Sequence, residues 1–266
     1  MRRFLSVSTV VVAFCLSPIL SIVTAGAQKP VVEVQQEALK GTITVSAASS
    51  LSDSFTEIAK VFRKINPNIK VRFNFGSASS LATQIQAGAP SDVIASSDLS
   101  NIEKLIKSGF VSSVGYPKIF ARNQMAIAVK PGNPLKIRSL EDLSRAKYLA
   151  LCGSAAPCGV YAAQVLAKSN VSINESKITR AVDAKSTLNA VAVGDADAAI
   201  VYLTDALAAR KMVTLIKIKS DQNVNTSYAI AAIRLSQNQR ATEAFIDFVL
   251  SDKSQEILKS FGFAKK

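Results

Sequence analysis

A loop of small residues lies between two cysteines in the middle of the chain. The apolar run Leu149–Leu151 precedes it, Cys152 and Cys158 bound it, and an apolar segment with helical character follows. A loop that joins a strand to a helix presents backbone N–H groups at the positive end of the helix dipole, where an anion binds without any charged side chain. The pattern therefore indicates anion binding. An ordinary strand–helix connection is the alternative, because most such loops bind nothing.

Two further loops share this composition. Ser46–Leu51 follows the β-branched run Thr42–Val45, and Gly76–Ser80 follows the alternating run Ile69–Phe75. Neither loop contains Lys or Arg. Serine also caps helix N-termini, so capping explains each loop equally well when it is taken alone. Two such loops at the carboxyl ends of strands predict a ligand crevice at that edge of a sheet.

The elements that must position these loops repeat as strand, loop and helix. This order predicts an α/β fold with a parallel sheet and helices on its faces. The strand Phe120–Lys130 is predicted to cross into a second lobe, and the strand Ser227–Ile233 to return to the first. We therefore predict lobe 1 over residues 41–121 and 226–266, and lobe 2 over residues 122–225.

Two helices are predicted from the spacing of apolar residues. One follows the cysteine loop and runs from Gly159 to about Lys168. The other is a single long helix from about Gln239 to Phe261, near the end of the chain.

Composition limits the possible classes of function. The chain has 266 residues, of which 48% are hydrophobic and 19% charged, so a substantial folded core is expected. The net charge is +13, but the basic residues are scattered and do not alternate with aromatic ones, which argues against a nucleic-acid partner. The chain contains no histidine, which excludes histidine triads and histidine metal ligands. We expect neither an enzyme nor a bound cofactor or free metal cation.

The first residues are typical of a secretory signal peptide over residues 1–27. Arg2 and Arg3 precede a mostly apolar stretch, and Ala25–Ala27 forms a small-x-small cleavage site. We expect cleavage near Ala27, an exported mature protein and a flexible leader over residues 28–40.

The three cysteines divide between two regions of the chain. Cys15 lies in the segment that we expect to be removed, so Cys152 and Cys158 remain in the mature protein. Two cysteines in an exported chain most simply form one disulfide, and a metal site lacks the further ligands that it requires.

Several segments, taken in order along the chain, resemble periplasmic molybdate-binding proteins of ABC importers. The resemblance covers nearly all of the mature chain, roughly Thr42 to Phe263. Any one segment alone is a weak signal, but their common order is specific. The segments are Ala47–Leu51, Leu81–Val93, Pro157–Ala162, Ala199–Tyr202 and Phe261–Phe263.

The resemblance implies the two-lobe periplasmic binding protein fold of type II, with the ligand in a cleft between lobes that crossing strands join. It also implies ligand contacts from backbone amides and hydroxyl groups. Ala78 departs from the family, which has a serine there; its amide can still donate, and Ser77 or Ser79 is expected to supply the missing hydroxyl. The implied contacts fall on Ser50, Ala78, Cys158, Ala184 and Tyr202. A disulfide either braces the Cys158 amide or only stabilises the protein, and both roles stay open.

The function implied by the resemblance is capture of molybdate, and also of tungstate, by a monomer that delivers it to the membrane permease of an ABC importer. These oxyanions carry no proton at neutral pH, so a site made of donors satisfies them. Phosphate keeps a proton, which would be left unpaired at a cost of about 1–3 kcal/mol. Asp183 and Asp205 are interpreted as helix caps or solvated groups, because a carboxylate repels an oxyanion.

Three alternatives remain. The ligand is sulfate or another tetrahedral oxyanion if the cavity has the size for it. An exported serine hydrolase requires a base, but the candidate loops contain neither histidine nor a Ser-x-x-Lys motif. The ligand-sensing lobes of a transcription regulator require a helix-turn-helix ahead of them, where we interpret the sequence as a signal peptide.

Overall fold

The computed structural model describes residues 39–266, which belong to one compact unit. The predicted signal peptide, its cleavage site and nearly all of the predicted leader lie outside the described residues. Within residues 39–266, no helix combines the length and the apolar character that crossing a bilayer requires.

Nine strands within the described residues build the sheet. They are β1 (Gly41–Ala48), β2 (Ile69–Gly76), β3 (Val93–Ser96), β4 (Lys118–Val129), β5 (Leu149–Cys152), β6 (Ile178–Ala181), β7 (Ala198–Tyr202), β8 (Thr214–Lys217) and β9 (Asn225–Ala232). Their order is β2-β1-β3-β9-β4-β7-β5-β6, and β8 pairs with β4.

Eight α-helices within the described residues cover this sheet. The first of them shows why they form: Phe55, Ile58 and Phe62 recur at helical spacing, and all three are buried on one face. The helices are α1 (Ser52–Ile65), α2 (Ala78–Gln86), α3 (Ser100–Lys107), α4 (Pro157–Lys168), α5 (Ala184–Ala192), α6 (Leu203–Ala208), α7 (Gln239–Leu250) and α8 (Asp252–Ser260).

Strand β4 belongs to both halves of the sheet. Its first part, Lys118–Gln124, pairs antiparallel with β9, whereas from Met125 onward its partners are β7 and β8. This change of partners creates two lobes and confirms the predicted crossing strand. The predicted lobe boundaries lie near this change, but they stay predictions because the described residues form one compact unit.

The parallel strands of each lobe direct their carboxyl ends to the same edge of the sheet. In lobe 1, Ala48 of β1 lies opposite Gly76 of β2, and β3 is parallel to β1. In lobe 2, Cys152 of β5 lies opposite Ala181 of β6. The predicted anion loops therefore follow neighbouring strand ends, as a crevice at this edge requires.

Two predicted helices differ in the structure. Helix α4 begins at Pro157 rather than at Gly159, because proline is well suited to the first helical position, where its missing N–H costs nothing. The predicted helix from Gln239 to Phe261 is wrong as a single element. It is interrupted at Ser251, whose hydroxyl accepts a hydrogen bond from the Ser254 amide and caps the start of α8.

The C-terminal segment closes onto the crossing strand. Arg122 of β4 and Ala264 exchange two backbone hydrogen bonds, each 2.9 Å long. The neighbouring Phe263 packs edge-on against Tyr228 of β9, with ring centroids 5.3 Å apart. The end of the chain thus completes the core beneath the crossing point.

Gly159 allows α4 to approach the end of β5 closely. A Cβ atom at this position would collide with the carbonyl oxygen of Gly153. We predict that Gly159→Ala lowers the free energy of unfolding by about 1–3 kcal/mol, the cost of overpacking. Denaturant titration measures this loss. Gly153→Ala is the matched control, because its Cβ meets only the Ala181 carbonyl oxygen at 3.8 Å; an equal loss in both variants would contradict the prediction.

Candidate functional site

The structure places the five predicted contact residues at the ends of strands and the starts of helices. Ser50 lies in a 3-10 turn just before α1, Ala78 and Ala184 are the first residues of α2 and α5, Cys158 is the second residue of α4, and Tyr202 is the last residue of β7. All five are buried. Ala78, Cys158 and Ala184, each predicted to lie in the loop that follows a strand, belong instead to first helical turns.

Backbone amides in a first helical turn have no acceptor within the helix. In α2 the first backbone hydrogen bond is donated by Leu81 to Ser77, so the Ala78 amide ahead of it has none. In α5 the first backbone hydrogen bond is donated by Thr187 to Asp183, so the Ala184 amide likewise has no acceptor within its helix. These N–H groups are buried donors at the positive ends of helix dipoles, where an anion is stabilised.

The Cys158 amide is held at the start of α4 by a covalent bond. A disulfide joins Cys152, at the end of β5, to Cys158. The Thr187 hydroxyl of α5 lies 3.2 Å from the Cys152 sulfur and shares its hydrogen between this atom and the Asp183 carbonyl oxygen at 2.8 Å. The starts of α4 and α5 are therefore linked through the disulfide.

Two contacts connect the lobes around these residues. In α1, Asp53 accepts a 2.5 Å salt bridge from Lys185 of α5, and α5 also packs against the Ser49–Leu51 turn. Tyr228 of β9 lies 2.8 Å from the Ser50 hydroxyl, and its ring centroid is 5.6 Å from that of Tyr202. Ser50 of lobe 1 is thus brought together with Ala184 and Tyr202 of lobe 2.

The Tyr202 hydroxyl is a buried donor without a hydrogen-bond partner in the described residues. Burial raises the pKa of Tyr202 well above its usual value, so the group stays protonated. The Ser97 hydroxyl approaches closely enough to oppose this rise in pKa slightly, but it does not meet hydrogen-bond geometry. A buried phenol normally has a partner, so the free hydroxyl indicates that a ligand oxygen belongs there.

The serines near Ala78 have different roles. The Ser77 hydroxyl caps α2 by accepting from the Ser80 amide at 3.2 Å, and it donates to the Ser80 hydroxyl at 2.9 Å. Its hydrogen is therefore engaged. The Ser79 hydroxyl lies 3.1 Å from the Ser77 oxygen and is the donor in that contact, because the Ser77 hydrogen is already used.

Three residues near the site were not identified from the sequence. Tyr228 and Asn123 lie in strands and resemble ordinary core residues, so no local pattern singles them out. Ser97 follows a predicted strand in the run Ser96–Asp98, which resembles the other serine loops, and that similarity is the signal that was available.

Metal-binding groups are scarce around these donors. In the described part of the chain, no three acidic or cysteine side chains gather in a way that could hold a metal ion. The five predicted contact residues themselves offer only neutral N–H and O–H groups.

A groove of about 680 Å³ lies between α3 and α4. It is lined in part by Asp98 and Tyr161, and none of the five predicted contact residues lines it. The ring of Tyr161 lies 6.4 Å from that of Tyr202, so the groove reaches the outer side of the buried site. Burial and the neighbouring Asp98 raise the pKa of Tyr161 to about 12, which keeps this phenol neutral.

The prediction that Asp183 caps a helix is confirmed, whereas the prediction for Asp205 is wrong. Asp183 caps α5, since its carboxylate accepts from the Ser186 amide at 2.9 Å. Asp205, expected to cap a helix or face solvent, is 1% exposed, and neither of its oxygens meets hydrogen-bond geometry. Burial raises the pKa of Asp205 to about 7, while Lys185 and the Tyr202 amide oppose the rise. Asp205 is buried because it lies in the first turn of α6, which follows the buried strand β7 directly.

We predict that Asp205 makes stability depend on pH. Its pKa is 3.8 when unfolded and about 7 when folded, so between these values the folded state binds a proton that the unfolded state lacks. The free energy of unfolding therefore falls as pH rises through this window, by on the order of 2–4 kcal/mol. Thermal unfolding at pH 5 and pH 8 should show a smaller fall for Asp205→Asn than for wild type.

The control for this prediction is Asp195→Asn, which changes an exposed carboxylate. This variant should retain the wild-type dependence on pH. A wild-type dependence in Asp205→Asn as well would assign the effect to other groups.

Comparison with known proteins agrees with the fold. A molybdate-binding protein, ModA, of Mycobacterium tuberculosis (strain ATCC 25618 / H37Rv) is 35% identical over 225 residues, which cover 84% of this chain and 85% of that protein. The periplasmic molybdate-binding protein of Azotobacter vinelandii has a TM-score of 0.76 at 20% identity and covers 84% of this chain and 99% of its own. The sulfate-binding protein SubI of Mycobacterium tuberculosis H37Rv has a TM-score of 0.76 at 20% identity, and the match covers 84% of this chain and 86% of that protein.

The two structural likenesses confirm the predicted two-lobe periplasmic binding protein fold. The relatives bind solutes and are not enzymes, in agreement with the expectation from the sequence. Residues 43–264 match the family described as bacterial extracellular solute-binding protein. This match covers most of the chain, and the chain belongs to the family of bacterial extracellular solute-binding proteins.

Proposed function

We propose that this protein captures molybdate between its two lobes and delivers it to the membrane permease of an ABC importer. The observation that carries the proposal is the set of buried donors without partners, above all the Tyr202 hydroxyl. No arginine or lysine is required, because helix N-termini supply the positive potential. The names of the relatives, which include molybdate-binding proteins of several bacteria, support molybdate as the ligand.

The proposed ligand contacts are those implied by the resemblance. The amides of Ala78, Cys158 and Ala184 donate to ligand oxygens, as do the hydroxyl groups of Ser50 and Tyr202. At the position where the family has a serine, we propose Ser79 as the source of the missing hydroxyl. The reason is that Ser77 is held by two bonds to Ser80, one donated and one accepted, whereas Ser79 has a single 3.1 Å bond to Ser77 that it can exchange for a ligand oxygen.

We further propose that the protein acts outside the cytoplasm as a monomer, after cleavage near Ala27. The family membership and the disulfide between Cys152 and Cys158 support export, because disulfides persist in oxidising compartments. Closure of two lobes over a ligand creates a surface that a permease can distinguish from the open form. The net charge of +13, which becomes +11 when Arg2 and Arg3 are removed with the signal peptide, favours the approach of an anion at low ionic strength.

Sulfate is the second candidate ligand. A sulfate-binding protein shares the fold at a TM-score of 0.76, and sulfate too lacks a proton at neutral pH. Tungstate has the same shape and charge as molybdate, so the proposal includes it.

Calorimetric titration of the mature protein tests the proposal. We expect molybdate and tungstate to bind more tightly than sulfate, and phosphate to bind weakest, because its proton meets no acceptor among the donors. Sulfate binding as tight as that of molybdate would replace the proposed ligand. Absence of binding by all four anions would refute the proposed function.

Tyr202→Phe is expected to weaken molybdate binding by about 10–100-fold, the effect of losing one hydrogen bond to a charged group. The stability of the ligand-free protein should be unchanged, since the hydroxyl bonds to no described residue. Tyr148→Phe, at a tyrosine that is 41% exposed, is the matched control and should bind as wild type does. Unchanged affinity in Tyr202→Phe would remove this hydroxyl from the site.

A further inference from the structure

We propose that Asn123 and Tyr228 fix the direction of the Ser50 hydroxyl, so that its hydrogen always points to the ligand. This orientation makes Ser50 a donor only, and it lets the site reject oxyanions that carry a proton. The inference rests on the proposed function. It assigns to two core residues, which do not touch the ligand, a role in positioning and selectivity.

The chain of hydrogen bonds begins at the Asn123 side-chain amide. Its oxygen accepts from the backbone N–H of Gln124 at 2.9 Å, and this N–H can only donate. The amide is therefore oriented with Nδ2 facing the other way. Nδ2 donates to the Tyr228 hydroxyl at 3.3 Å and to the Thr204 hydroxyl at 2.9 Å. Asn123 is buried, so its side chain is held in this position.

Tyr228 in turn determines which way the Ser50 hydroxyl points. Its oxygen already accepts from Asn123, and in the described residues its one other hydrogen-bond neighbour is the Ser50 hydroxyl at 2.8 Å. The Tyr228 hydrogen has no alternative acceptor, so it bonds to the Ser50 oxygen. Tyr228 is completely buried, and leaving its hydrogen unpaired would be costly. The Ser50 hydrogen is then free for the ligand.

The reverse orientation of the Ser50 hydroxyl would remove two hydrogen bonds, the one from Tyr228 to Ser50 and the proposed one from Ser50 to the ligand. If Ser50 donated to Tyr228, the phenol hydrogen would be left without an acceptor, and the Ser50 oxygen would face the ligand. That arrangement suits hydrogen phosphate, which has a proton to donate. The Asn123 amide prevents it, because Nδ2 has no lone pair to offer. Ser50 therefore acts like the backbone amides around it, which can only donate.

Asn123 also has a second hydrogen-bond branch, which does not lead to Ser50. Asn123 lies on β4, two residues before the strand changes partners at Met125. Its second hydrogen bond reaches Thr204 in α6, two residues after Tyr202. One amide thus connects the Ser50 side of the site with the Tyr202 side.

The test compares ratios of affinity rather than single affinities. Wild type and Tyr228→Phe are titrated at pH 7 with molybdate and sulfate, which carry no proton, and with inorganic phosphate in competition with molybdate. We expect Tyr228→Phe to lose about tenfold in affinity for molybdate and for sulfate, because the Ser50 hydroxyl is no longer held with its hydrogen toward the ligand and its bond to the anion is weakened. Its affinity for phosphate should stay the same or rise, so the ratio of molybdate to phosphate affinity falls at least tenfold.

A merely structural role for Tyr228 predicts a different result, since all three affinities would fall together and the ratio would not change. Thr204→Val is the matched control, because it removes the branch of the Asn123 network that does not lead to Ser50; its ratio should equal that of wild type. Asn123→Leu is a second variant, which should lower the ratio as Tyr228→Phe does. Melting temperatures verify that each variant is folded.

The outcomes separate the two proposals. If wild type binds no oxyanion, the proposed function is wrong. If wild type binds molybdate but Tyr228→Phe and Asn123→Leu keep the wild-type ratio, the function stands and the inference about direction is wrong. A lowered ratio in both variants, with Thr204→Val unchanged, supports the inference.

Discussion

The structure depends on backbone N–H groups that a helix cannot use itself. Each helix leaves its first amides without internal acceptors, and in this protein several of these amides are buried where strands of the two lobes end. Buried unpaired donors are costly unless something accepts from them. In the proposed function, an anion between the lobes accepts from these amides, so no charged side chain is required. The parallel strands of each lobe bring the helix starts to the same edge of the sheet.

The crossing strands turn two such lobes into one site. Strand β4 pairs with β9 in one lobe and with β7 and β8 in the other, so one continuous strand is shared by both lobes. The salt bridge between Lys185 and Asp53 spans the same gap at the surface. Because both groups are partly exposed, it contributes at most about 1 kcal/mol. The buried contacts of Tyr228 with Ser50 and Tyr202 therefore contribute more to holding the two lobes together.

Short-range patterns in the sequence were sufficient for the fold class and for the regions of the anion loops. Serine-rich and cysteine-bounded loops follow apolar strands, and such patterns need only a few neighbouring residues. The positions of Ala78 and Cys158 in helical turns were missed because capping shifts a helix start by one or two residues. Ser251 was missed as a break for the same reason, since a serine within an apolar helical pattern looks like a solvent-facing position.

Contacts between residues far apart in the chain could not be predicted from local sequence patterns. Asn123 and Tyr228 meet only because two strands far apart in the chain pair at the crossing point, and each side chain alone is typical of a core. Asp205 resembled a surface cap because its burial is set by the sheet that α6 covers. Such residues owe their role to tertiary packing, which local spacing does not encode.

The bond pair between Arg122 and Ala264 has a consequence for the order in which the protein is made. Arg122 precedes Asn123 directly, and Phe263 covers Tyr228, so the floor of the crossing point requires residues that leave the ribosome long after β4. During synthesis the early lobe elements exist without this floor. The packing around Tyr228 at the crossing point is therefore completed only when the last residues of the chain are available.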